Sequence, residues 1–267
     1  MNESFVPADA ALVADPDELI EFFSSDTPAA HIYALADCEE PFWSASRWYR
    51  RGDAVVGLVA LPHLGLLTAY AVSTRDPAGS SELLTQLTPD LPAELLLTGP
   101  VGLADAIGRC RKVTWSGPHL RCELVDRRAA SQAAEAASAG VVALGPSDLD
   151  LLERLYDIEP DAAFFLPYML DDETFVGVFR DGVLIAAAGT HVISDALGIA
   201  AIGAVYAHPE RRGEGLGRVV TAAAIGRVAD RVATIGLNVS VDNAPARAVY
   251  ESLGFRQILR YDEAELA

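Results

Sequence analysis

Alternation of apolar and polar positions divides the C-terminal half of the chain into a series of elements. Residues 149–158 repeat with helical spacing, and Ser147 after Pro146 is the expected N-cap. The apolar aromatic run 162–170 is broken by Pro167, which predicts a short helix bending into a loop. The stretch ETFVGVFRDGVLIAAAGTHVIS reads as two strands, joined by Asp181-Gly182, a pair that supplies the positive φ values of a tight hairpin. A third strand covers 198–207. A helix then runs from about Gly215 to Arg231, with a small apolar stripe through Val219, Ala222, Ala223 and Val228. A strand at 233–241, a helix over NAPARAVYESLG closed by Gly254, and a last strand FRQILRYDE complete the series. The order is α, α, β, β, β, α, β, α, β.

The N-terminal half gives a similar order. A helix fits 16–23; strands fit 46–51, 54–61 and 65–72; a helix fits 79–87, a strand 93–98, a helix 101–109, and further strand lies within 113–125. The hairpin YRRGDAVVGLVAL resembles VFRDGVLIAAAGT in its turn chemistry, which suggests an internal duplication. The alanine-rich stretch 126–140 is expected to connect the halves as a flexible or weakly helical linker, giving domains at 1–125 and 141–267. The aromatic stretch EEPFWSASRWYRR is assigned to core ahead of a cleft or a contact.

Composition narrows the function classes. Hydrophobic residues make up 51% of the 267, enough for one large core or two modest ones. The formal net charge of −18 disfavours nucleic acid, whose phosphates need a concentrated basic stripe. No apolar run reaches bilayer length, so no membrane partner is expected. The acidic start lacks a basic leader, and three scattered cysteines without metal-ligand spacing fit a reducing cytoplasm and no metal.

Chemistry concentrates at RRGEGLG, between the third strand and its helix. Glycines at 213, 215 and 217 let the backbone turn sharply and let a bulky ligand approach. The amides that follow open a helix and lack intrahelical acceptors, so with the helix dipole they form an anion site suited to phosphate. Arg212 and Arg218 add positive charge. The spacing departs from G-x-G-x-x-G, and no G-K-[ST] follows, so neither a dinucleotide nor a nucleoside-triphosphate loop is indicated.

The run Arg212, Gly215, Gly217 after AIGAVYAHPE resembles the acyl-CoA pyrophosphate loop of the GNAT N-acetyltransferase superfamily. LNVSVDNAPARAVYESLGF, with Asn243, Ala246, Tyr250 and Gly254-Phe255, is similar to the family's next signature. Together they cover about 141–263 and look most like the glycine N-acyltransferase-like branch. The N-terminal half lacks the loop, reading STRDPAGSSELL after Val72, so it looks like a degenerate copy that has lost CoA binding. The resemblance implies an α/β (α+β) fold of tandem GNAT-like lobes, each a mixed, mostly antiparallel twisted sheet flanked by helices. It also implies acetyl-CoA as co-substrate. The strand end Val205, Tyr206, Ala207 would pair with the pantetheine arm, and an amide near Tyr206 or Ala207 would stabilise the oxyanion. Amides of Gly213, Glu214, Gly215, Leu216, Gly217 and Arg218 would hold the pyrophosphate, Asn243 would bond the cofactor while capping its helix, and Tyr250 would protonate the leaving thiolate.

The strand AAIGAVYA carries no glutamate to serve as base, which leaves His191 as the nearest titratable group on a neighbouring strand. A histidine on an apolar strand also serves as a structural hydrogen-bonder, and both readings stand. Glu159, Asp161, Asp171 and Asp172 flank the substrate side and suit either a cationic amine or a solvated rim. The function implied is acyl transfer to a small-molecule or peptide primary amine; a CoA-binding regulator without turnover is the alternative, and a homodimer is left open.

Overall fold

The computed structural model describes residue 7 and residues 9–61 and 65–267. Most of the first eight residues of the acidic start therefore lie outside the description. The elements run β1 (Ala11–Val13), α1 (Pro16–Ser24), α2 (Ile32–Ala36), β2 (Ser46–Arg51), β3 (Ala54–Leu61), β4 (Leu66–Ala71), α3 (Pro77–Leu87), β5 (Leu95–Pro100), α4 (Leu103–Ile107) and β6 (Val113–Leu124). They continue with α5 (Arg127–Ala137), β7 (Val142–Ala143), α6 (Leu149–Tyr156), β8 (Val176–Arg180), β9 (Val183–Ser194), β10 (Ile199–Ala207), α7 (Leu216–Val228), β11 (Thr234–Ser240), α8 (Ala244–Ser252) and β12 (Phe255–Leu266).

Two compact units result. The first joins Met1–Leu120 to Leu259–Ala267; the second is Arg121–Ile258. Residues 259–267, which the sequence reading gives to the C-terminal domain, thus belong to the first unit. Both units carry the same mixed pattern. In the first, β1 to β4 pair antiparallel in sequence, β4 pairs parallel with β5, and β5 pairs antiparallel with the end of β12. In the second, β7 to β10 pair antiparallel and β10 pairs parallel with β11.

The first unit's core gathers Val56, Leu58, Leu84, Leu97 and Ile107, with Ala264 and Leu266 from β12. Trp48 is fully buried, and its ring fills the space that a Cβ on Gly57 would need. The second unit's core gathers Leu152, Leu155, Met169, Phe175 and Leu184.

Several local expectations change. Residues 126–140 are not a loose connector: Asp126 accepts the Ala129 N–H at 2.9 Å and caps α5, which buries Ala130, Ala133 and Ala137 and packs on α7. Helix α7 meets both α5 and strands β8 to β10, so burial wraps it and no stripe exists. Leu216, Val220, Thr221, Ala222, Ala224, Ile225 and Val228 are buried, whereas Val219 and Ala223 are half-buried. Ser147 does not cap α6; it sits in the 3₁₀ turn Pro146–Asp148, where the Asp148 carboxylate accepts the Gly145 N–H. The 162–170 run is helical only at Pro167–Leu170, because Pro167 has no N–H to extend a turn backwards.

Candidate functional site

The site is built where β10 leaves its neighbour. Parallel pairing with β11 runs from Ile199↔Thr234 to Ile202↔Leu237 and stops there, although both strands continue. On the other side β10 stays paired with β9, but the register jumps between Gly203↔Gly189 and Tyr206↔Ala187, placing one extra residue in β10. Ala204 lies in this bulge with a φ of 50°. The His208 N–H donates to the Ile185 carbonyl at 2.8 Å. Amides alternate along a strand, so Tyr206 N–H faces β9 while Ala207 N–H faces the parted side.

The loop after β10 begins with the 3₁₀ turn Pro209–Arg211, and His208 Nδ1 accepts the Glu210 N–H to start it. Gly213 and Gly215 have φ values of 84° and 80°, a region that only glycine enters freely. A Cβ placed on Gly213, Gly215 or Gly217 would meet nothing within 4 Å, so the cradle is open. Gly215 leads into α7 without any side-chain cap. The Val219 N–H bonds to the Gly215 carbonyl at 3.1 Å, so the amides of Leu216, Gly217 and Arg218 stand ahead of the helical ladder. Leu216 itself is buried and offers only its backbone. Glu214 pairs with Arg211 at 3.5 Å, and Arg218 Nε donates to Ser252 Oγ of α8 at 3.4 Å.

Asn243 accepts the Ala246 N–H at 3.1 Å and caps α8. That helix packs on α7 and carries Tyr250. The Tyr250 ring is buried against Phe255, and burial pushes its phenol up to about 12. Its hydroxyl has no hydrogen bond among the described residues.

His191 lies over Gly203, where a Cβ would come within 2.3 Å of the ring. Its Nε2 accepts the Ala204 N–H at 3.0 Å and stands 3.1 Å from the Phe164 carbonyl. Burial pushes this imidazole down to about 4, so it stays neutral at physiological pH.

Two groups gain partners on β10: Tyr156, which the pattern of residues did not single out, and Glu159, one of the four acids it did. Tyr156, at the end of α6, donates to the Ala204 carbonyl at 2.7 Å. Glu159 accepts the Tyr206 hydroxyl at 2.8 Å and an Arg212 N–H, and these bonds hold its carboxyl below the usual range, Tyr206 first. Arg212 also lies over the Tyr206 ring. Of the four acids Glu159, Asp161, Asp171 and Asp172, Glu159 is therefore the one tied to β10. Nothing in local spacing marks Tyr156 or the partners of Glu159, because both residues act on groups some 50 positions away in sequence. Among the described residues no group of His, Cys, Asp and Glu could hold a metal, and no helix is long and apolar enough to cross a membrane.

A strand that parts from its parallel neighbour leads here into an open glycine loop and an uncapped helix. Residues 147–255 match the model of the acetyltransferase (GNAT) family. A mycothiol acetyltransferase from Kytococcus sedentarius is 39% identical over 109 residues, covering 40% of this chain and 34% of that protein. The chain therefore matches about a third of that relative's length. A GCN5-related N-acetyltransferase from Kribbella flavida superposes with a TM-score of 0.58 at 18% identity, covering 89% of this chain and 95% of its own. A tandem GNAT protein of the clavulanic acid biosynthesis pathway gives 0.56 at 18%, covering 96% and 98%. The tandem GNAT fold accordingly extends over both units.

Proposed function

We propose that the protein is an acyl-CoA-dependent N-acyltransferase that moves an acetyl group from acetyl-CoA to a primary amine, using the second unit alone. The observation that carries this reading is the open cradle at Gly213, Gly215 and Gly217 immediately beyond the point where β10 parts from β11. Bound acetyl-CoA supplies an activated thioester. The amides of residues 213–218, with Arg212 and Arg218, bind its pyrophosphate. Backbone groups of Val205, Tyr206 and Ala207 line the gap for the pantetheine arm, and Ala207 N–H, the amide facing that gap, donates to the oxyanion. Asn243 combines helix capping with a cofactor contact.

Tyr250 protonates the leaving thiolate; a buried phenol with its pKa raised stays protonated and can donate. Glu159, an exposed carboxylate next to Tyr206, attracts the ammonium form of the acceptor. His191 is a poor base here: its Nε2 already takes a backbone N–H, and burial disfavours the protonated ring that a base must become. The name carried by the K. sedentarius relative makes acetyl transfer the first reaction to try.

Incubating the purified chain with acetyl-CoA and a pool of primary amines, read by mass spectrometry, tests the reading. Acetylated product supports it. Retained CoA without product would instead leave a CoA-binding regulator.

A further inference from the structure

Ala204 is held from both sides. Its N–H donates to His191 Nε2 at 3.0 Å, and its carbonyl accepts the Tyr156 hydroxyl at 2.7 Å. A non-glycine residue rarely rests at a φ of 50°, and here two side chains from outside the strand satisfy the peptide groups that this conformation turns out of the ladder. The two clamps have different roots. His191 belongs to β9 and fills the space left by Gly203, whereas Tyr156 ends α6 and stacks on Phe165. Each supplies the needed role: the imidazole is neutral and accepts, and the buried phenol is protonated and donates.

The extra residue has a further effect. One residue of bulge reverses the alternation of every amide after it. Ala207 N–H faces the parted side because the bulge precedes it; in an unbroken ladder it would face β9.

We infer that His191 and Tyr156 are positioning residues for acyl transfer, clamping Ala204 so that the Ala207 amide points at the reacting carbonyl. Neither touches the thioester, and the inference rests on the acyltransferase reading above. A clamp differs from a base in what can replace it. The Oε1 of a glutamine can accept where Nε2 accepts, but it cannot take up a proton.

Three variants test this: His191→Gln, His191→Phe and Tyr156→Phe. Each is assayed for acetyl-CoA turnover with the amine pool, for CoA affinity by calorimetry, and for amide exchange of residues 199–207. For His191→Phe the expected outcome is a kcat lower by about 10²-fold, the scale of a misplaced reacting group, with CoA affinity little changed and exchange at Ala204 accelerated. His191→Gln should recover most of the rate, and Tyr156→Phe should lose about tenfold, since it removes one bond of the clamp and keeps the ring. A Gln variant as inactive as the Phe variant would overturn the clamp in favour of a base. Wild-type rates in both Phe variants would overturn it as well. If the wild type makes no product at all, the acyltransferase reading fails by itself. The exchange data then decide whether Ala204 is clamped: unchanged protection in His191→Phe overturns the clamp.

Discussion

The two units share a strand order and differ where β4 and β10 meet their helices. In the second unit the register with the preceding strand jumps by one residue, the parallel neighbour falls away after Ile202, and an uncapped helix follows an open glycine loop. In the first unit β3 and β4 pair without a break from Val56↔Ala71 to Leu61↔Leu66. Strand β4 is matched to β5 as far as Tyr70↔Thr98, one residue short of its end. The helix that follows, α3, opens on Asp76, whose carboxylate accepts the Gly79 N–H at 2.9 Å. A negative charge already sits where a phosphate would have to go. The sheet alone therefore does not distinguish the units; the bulge, the parting and the uncapped helix end do, and the proposed CoA site rests on them.

The sharpest way to break this contrast is to close the second cradle as the first is closed. Gly215→Glu sets a carboxylate at a position with a φ of 80°, and CoA affinity should fall by about 10²-fold or more. Near-native binding by a folded Gly215→Glu chain, measured calorimetrically, would remove the cradle argument.

Tyr250→Phe keeps the ring contact with Phe255 and removes only the hydroxyl. With CoA affinity and stability nearly unchanged, kcat and kcat/KM should both fall by about 10²-fold, the usual size of a general-acid contribution. A wild-type rate, with chemistry limiting, would make Tyr250 a packing residue.

In the first unit, Asp76→Ala should cost about 1 kcal/mol as a lost N-cap without creating a second site. Titration with CoA should therefore still saturate at one molecule per chain. A second equivalent bound by this variant would show that the carboxylate alone had closed the first unit.

The last contrast concerns Asp37, also in the first unit. It is buried, its Oδ2 has no hydrogen-bond partner among the described residues, and burial raises its carboxyl from 3.8 to about 8. Its contribution to stability is full below pH 3.8, and it is lost as pH rises through 8, because only the unfolded chain ionises freely over that range. Asp37→Asn should raise the melting point, by about 1–3 kcal/mol of stability at pH 8 and less at pH 5. Equal gains at the two pH values would mean that the carboxyl is not protonated in the folded chain.

Much of this was legible where chemistry is local. The Asp181-Gly182 turn, the glycine loop, the Asn243 cap and the strands 46–51 and 54–61 follow from turn, cap and alternation rules that act over a few residues. Helix α5 was obscured because its buried face is alanine, at 130, 133 and 137, too small to register as an apolar stripe. The three-residue β1 and two-residue β7 are too short to show a period. The clamp on Ala204 was hidden for a different reason. His191 is 13 positions from Ala204 and Tyr156 is 48, and only the folded sheet brings them to one peptide.

Residues 259–267 complete the first unit's sheet beside β5, yet a ribosome releases them only after residues 121–258 have emerged. During synthesis the strand β5 waits with an unpaired edge while residues 121–258 are made and can fold. Maturation of the two units therefore runs against their order along the messenger. A premature stop between residues 258 and 267 would harm the unit made first, leaving it to seek a substitute strand from another nascent chain.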